Sequence, residues 1–166
     1  MIRNAGYVLE GFTLIELLLY MSLLAVFLTV LTQIFTASID TQLESESESS
    51  VQQDGKFLLA RLQYDTERAS TILDPSYSGS SSASLQFVAS GVTNRYRLTG
   101  SDVTFTDASG TYNVNSIGTK VSNLQFLRRS VVNGKPIITL SFILTSVATR
   151  NSGPTAQTFQ TTIGTR

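Results

Sequence analysis

The segment FTLIELLLYMSLLAVFLTVLTQIF, Phe12 to Phe35, governs how the rest of the chain is read, because Glu16 is its only formal charge. The other positions are mostly Leu, Ile, Val, Phe and Ala, with hydroxyls at Thr13, Tyr20, Ser22, Thr29 and Thr32. As an α-helix it rises roughly 36 Å at ~1.5 Å per residue, enough to cross a hydrocarbon layer of ~30 Å. It has no polar stripe, so it is predicted to be buried on all sides, by lipid or by a bundle of helices, and a single membrane span is the leading reading. Glu16 is costly there. A charged side chain at mid-helix carries an insertion penalty of ~2.5 to 3.5 kcal/mol, less near an end, and something has to offset it.

No Gly or Pro occurs between Gly11 and Gly55, and beyond Phe35 the pattern turns amphipathic, with Ile39, Leu43, Val51, Leu58, Leu62, Ala69 and Ile72 at helical spacing. One helix from about Thr13 to Leu73 is predicted, stopped at Asp74-Pro75 because the residue before a proline is pushed out of helical conformation. Its weak point is ESESESS, Glu44 to Ser50. Serine is a modest helix former and Glu44 with Glu48 is a like-charged i, i+4 pair, so a bend or frayed turn is expected there.

Ser76 to Ser84, SYSGSSSAS, reads as a flexible loop. After it the period becomes two. Leu85–Ala89, Asn94–Leu98, Asp102–Thr106 and Thr111–Val114 read as short strands, with turns at Ser90-Gly91 and Gly100-Ser101. Asn123–Arg129 and Ile137–Thr145 flank Asn133-Gly134, the strongest hairpin signal, and Ala156–Ile163 is the last strand. The predicted fold is α+β: a long N-terminal helix whose amphipathic second half packs on an antiparallel sheet. The predicted divisions are 1–11, 12–35, 36–74 and 75–166.

Twelve basic and twelve acidic residues cancel, so no bulk charge draws the chain to nucleic acid or an anionic membrane. Up to Asp74 there are ten acidic and four basic residues, and from Pro75 onward two acidic and eight basic. Cysteine and histidine are both absent, which removes disulfides, thiolate nucleophiles and the commonest base and metal ligands. There is no nucleophile elbow, phosphate loop or metal cluster, so neither an enzyme nor a cofactor is expected. Calcium at Asp107-Ala-Ser-Gly110 is short of ligands.

GFTLIELLLYMSLLAVFLTVLTQIF, Gly11 to Phe35, resembles the N-terminus of type IV pilins and type II secretion pseudopilins. In that family a polar leader ends in Gly and is followed by Phe-Thr-Leu-Ile-Glu and a hydrophobic helix, matched here by Gly11, Phe12, Thr13, Leu14, Ile15 and Glu16. The resemblance implies a leader of eleven residues, cut between Gly11 and Phe12 by a prepilin peptidase, N-methylation of Phe12, and filament assembly through the N-terminal helices. It implies other pilin subunits and an inner-membrane assembly platform as partners, with lipid around the helix before assembly. It also implies a bacterial inner-membrane location with the C-terminal domain outside the cytoplasm, followed by a pilus or pseudopilus. Glu10 stands where the family usually has a basic residue. The mid-helix proline and cysteine-closed loop of many major pilins are absent, which favours a minor pilin or pseudopilin, and Gln52–Ser70 loosely resembles minor pilins of the W and J types.

Cleavage after Gly11 supplies the missing cation, because the new ammonium on Phe12 of a neighbouring subunit can meet Glu16. At ~4 Å and an effective dielectric of ~20 such a pair is worth about 4 kcal/mol before desolvation. The simpler alternative is that Glu16 snorkels to the interface at the helix N-terminus. A secretory signal peptide cut near Thr36-Ala-Ser38 fits less well, because its apolar core would exceed the usual ~7 to 15 residues.

The acidic residues Asp40, Glu44, Glu46, Glu48 and Asp54 read as a solvated helix face, or as a stalk meeting Arg95, Arg97, Lys120, Arg128, Arg129 and Lys135 of adjacent subunits. Other readings are a membrane-anchored surface binding module that does not polymerise, an adhesive pilin, and a DNA-uptake pilin contacting nucleic acid through Arg128, Arg129 and Lys135.

Overall fold

The computed structural model describes residues 13–130, 135–148 and 153–165. Gly11, Phe12, Glu10 and the Asn133-Gly134 turn lie outside the described residues. The chain divides into two compact units, Met1–Thr41 and Gln42–Arg166. Helix α1 (Leu14–Glu67) contributes to both and runs through the Ser-Glu repeat without a break. Ser47 is the one residue of the repeat that turns inward, while Glu44, Glu46 and Glu48 stay exposed. The alternation thus places a small side chain against the core and the charges in solvent, and no frayed turn interrupts the helix there.

α1 ends at Glu67, six residues before the predicted Leu73. Ser70 N–H donates to the Val88 carbonyl at 2.8 Å, and β1 (Thr71–Asp74) continues as a strand. Ile72 has the burial the helical spacing called for, but reaches it from a strand, opposite Phe87. Backbone pairing with the neighbouring strand outcompetes two more helical turns for the β-branched pair Thr71-Ile72.

Nine strands follow α1 among the described residues: β1, β2 (Ser81–Ser82), β3 (Ser84–Ala89), β4 (Val92–Thr99), β5 (Asp102–Asp107), β6 (Gly110–Asn113), β7 (Thr119–Ser130), β8 (Pro136–Ser146) and β9 (Ala156–Gly164). They form two sheets rather than one meander. The first has the order β1-β3-β4-β5-β6 and the second β2-β7-β8-β9, antiparallel throughout. β2 lies within the predicted loop Ser76–Ser84, where Ser81 and Ser82 pair with Leu127 and Phe126. The Ser90-Gly91 turn has φ of 52° and 79°, the two positive values that a tight two-residue hairpin needs.

Within the second unit, one core gathers Val51, Leu58 and Leu62 from α1 with Leu85, Phe87, Tyr96, Phe126, Leu140, Phe142 and Leu144 from the strands. Gly55 is buried in α1, and a Cβ built on it would lie 2.1 Å from the Phe159 ring. That ring, half-buried, stacks on Phe142 with centroids 5.5 Å apart, so a methyl group at residue 55 would push it out of this stack. Helix propensity alone favours Gly55→Ala by roughly 0.5–1 kcal/mol. The close approach reverses the sign: Gly55→Ala is expected to destabilise the chain by about 1–3 kcal/mol in chemical denaturation, with part of the loss recovered in Gly55→Ala/Phe159→Leu. A more stable Gly55→Ala would contradict this packing.

Candidate functional site

Glu16 is the third residue of α1, and its backbone N–H donates to Thr13 Oγ1 at 3.4 Å, so Thr13 caps the helix. Its carboxylate accepts a hydrogen bond from the Tyr20 hydroxyl at 3.1 Å, one turn on. From Leu14 to Phe35 the large apolar side chains are exposed, and the most apolar window of α1 has a mean hydropathy of 2.4 with no part of it buried. α1 is therefore a candidate membrane span.

The hydroxyls inside the apolar run are satisfied along the helix itself. Ser22 donates to the Leu19 carbonyl at 2.8 Å, Thr29 to Ala25 at 2.8 Å and Thr32 to Leu28 at 2.9 Å. Such back-bonding removes the cost of hydroxyl groups in hydrocarbon. Glu16 differs. A neutral tyrosine hydroxyl orients it without cancelling its charge.

The acidic and basic candidates divide by local geometry. Glu44, Glu46 and Glu48 are exposed on α1. Asp54 was expected on the same solvated face, yet its Oδ2 accepts hydrogen bonds from Ser116 N–H at 3.1 Å and from the Ser116 and Thr119 hydroxyls, tying α1 to the β6–β7 connection. Arg128 Nη1 lies 3.1, 3.0 and 3.1 Å from the carbonyls of Ile72, Pro75 and Ser76, and Lys120 pairs with Asp102 at 3.3 Å. These two cations hold the fold's own segments. Arg129 and Lys135 are exposed, as are Arg95 and Arg97 on β4.

Two polar clusters escaped the sequence reading. Asn115 is buried and saturated: its Oδ1 accepts Val103 N–H at 2.8 Å, while Nδ2 donates to Asp102 at 3.1 Å and to the carbonyls of Ser116 and Thr119 at 3.2 and 3.0 Å. Nothing in the local sequence marks Asn115 for burial. Tyr96, fully buried, donates its hydroxyl to Asp65. Burial, followed by the Asp65 hydrogen bond, pushes the phenol pKa well above its ordinary value. Asp107 Oδ1 accepts the N–H groups of Ser109 and Gly110 at 2.7 and 3.1 Å, closing its own turn. No group of three or more metal-ligating side chains occurs among the described residues.

No protein-family profile, curated protein or solved structure matches this chain. Its chemistry is therefore read from the residues alone.

The Asn115 hydrogen bond, reinforced by Lys120, holds Asp102 below the ordinary aspartate value of 3.8. A depressed folded-state pKa contributes stability above the unfolded pKa, and this contribution is lost as pH falls through the folded value. In thermal unfolding of the full chain, the gap between the native protein and Asp102→Asn is therefore expected to be widest near neutrality and to narrow below the ordinary aspartate pKa. A gap that stays constant down to acid would exclude this linkage.

Proposed function

We propose that the chain is a structural subunit, prepilin-like, of a type IV pilus or type II secretion pseudopilus, and more specifically a minor pilin or pseudopilin. The observation that carries the reading is a single carboxylate, Glu16, three residues into an apolar helix that is otherwise suited to hydrocarbon. The motif Gly11-Phe-Thr-Leu-Ile-Glu16 supports it, as does the α+β arrangement of a long N-terminal helix packed on antiparallel sheets.

On this reading a prepilin peptidase cuts between Gly11 and Phe12, and Phe12 is N-methylated. Before assembly the chain is a single-pass protein of the bacterial inner membrane, with residues 36–166 outside the cytoplasm. An assembly platform then moves it from lipid into a filament on the cell surface or in the periplasm. The ammonium of one subunit's Phe12 meets Glu16 of the next, replacing a penalty in lipid with an ion pair in the filament core. Exposed Glu44, Glu46 and Glu48 and exposed cations such as Arg129 adjust register and salt sensitivity, since surface pairs contribute only ~0 to 1 kcal/mol each.

The test is Glu16→Ala and Glu16→Gln in the native host. Both variants are expected to enter the membrane at least as well as the native chain. Their recovery in sedimentable filaments should fall by ~10-fold or more, the consequence of losing even ~1.4 kcal/mol per contact. Undiminished filament recovery would refute the ion-pair assembly and favour a membrane-anchored module that does not polymerise.

A further inference from the structure

β4 turns Tyr96 into the core and Arg95 and Arg97 outward. In register with them, Gln86 lies opposite Arg95 on β3, while Thr106 and Thr104 lie opposite Arg95 and Arg97 on β5. With Thr99 these six residues line most of a concavity of about 350 Å³ on the outer face of the five-stranded sheet. That volume lies in the range of small-ligand sites.

The lining of the concavity carries two cations, Arg95 and Arg97, while the carboxylates Asp74 and Asp102 stand at its margins. No carboxylate lines the concavity. Of the two marginal acids, Asp102 is paired with Lys120, and Asp74 is turned toward the Ser82 and Ser84 hydroxyls. Arg95 Nη2 donates to Gln86 Oε1 at 2.9 Å, which orients its guanidinium, and Arg97 makes no ion pair among the described residues. Two guanidiniums two residues apart on a strand stand ~7 Å apart at the backbone, a fork for successive anionic groups on one polymer. The threonine hydroxyls around them are pre-oriented in cross-strand pairs, Thr99 with Thr104 at 3.0 Å and Thr106 with Thr111 at 2.8 Å.

A threonine-rich outer face is what strand propensity alone favours, and by itself implies no ligand. The arginine pair in an acid-free concavity does. Phe87, Tyr96 and Phe105 of these strands are buried on the opposite face, leaving no aromatic platform for nucleic-acid bases. Hydroxyl and amide groups flanking two cations instead match a hydroxylated chain that carries carboxylates. We propose that this face binds an acidic polysaccharide, its carboxylates on Arg95 and Arg97 and its hydroxyls on the threonines and Gln86. The inference stands apart from filament assembly, since it concerns only the sheet face.

The experiment uses the full chain in nonionic detergent over surfaces coated with polygalacturonate, its methyl ester, or single-stranded DNA. Binding to polygalacturonate and not to the neutral ester is expected. Arg95→Gln/Arg97→Gln should weaken it by at least ~10-fold, the scale of one lost charge-assisted contact, with an unchanged unfolding temperature. Arg129→Gln/Lys135→Gln, which removes two exposed cations elsewhere, should stay within about twofold of the native chain. Absence of polygalacturonate binding, or equal loss in both double variants, would overturn the proposal. Tighter binding to DNA, lost in Arg95→Gln/Arg97→Gln, would overturn it in favour of nucleic acid.

Discussion

A lone charge in hydrocarbon is costly, and the apolar run Leu14–Phe35 of α1 carries one, Glu16. The hydroxyls of Ser22, Thr29 and Thr32 are bonded back to their own helix, which makes the run Leu14–Phe35 compatible with a lipid environment. Glu16 has Tyr20 as a hydrogen-bond donor, and a hydroxyl does not neutralise a carboxylate. Its position beside the N-cap Thr13 gives it a favourable helix-terminus field worth ~0.3–1 kcal/mol, short of the ~2.5 to 3.5 kcal/mol penalty at mid-helix. Near a helix end that penalty shrinks. On the proposed function, an ammonium from a neighbouring subunit supplies the counter-charge.

From Gln42 onward the same helix obeys a different rule. Val51, Leu58 and Leu62 are fully or almost fully buried, Gly55 leaves room for the Phe159 ring, and Asp54 receives two hydrogen bonds from Ser116 of the β6–β7 connection and one from Thr119 at the start of β7. This half is fixed by apolar packing and by the Asp54 contacts, although the buried hydroxyls of Ser47 and Thr66 have no hydrogen-bond partner among the described residues. The contrast explains how 54 helical residues can be continuous while their side chains serve two functions.

Much of this was legible in the residues because it depends on periodicity. The helical spacing of Val51, Leu58 and Leu62 and the alternation of Ile138, Leu140, Phe142 and Leu144 state their burial directly. The errors came where tertiary pairing overrode local signals. Thr71–Asp74 left the helix to pair with β3, and Ser81–Ser82, in a low-complexity serine run, paired with β7. The division into two sheets was invisible for the same reason: a strand sequence states which face is buried, and not which neighbour it pairs with. Arg128 and Asp54 looked like surface charges because no sequence pattern announces a backbone carbonyl or a serine hydroxyl arriving from far along the chain. Glu16 was the opposite case, conspicuous as the one polar exception within a uniform run.

The proposal that cutting the chain at Gly11 creates an ammonium to pair with Glu16 is tested most directly by mass spectrometry of the N-terminal peptide from native cell envelopes. The expected result is a chain beginning at Phe12 with one added methyl group on its amino nitrogen. An N-terminus with the leader intact, or one starting near Ile39, would contradict it.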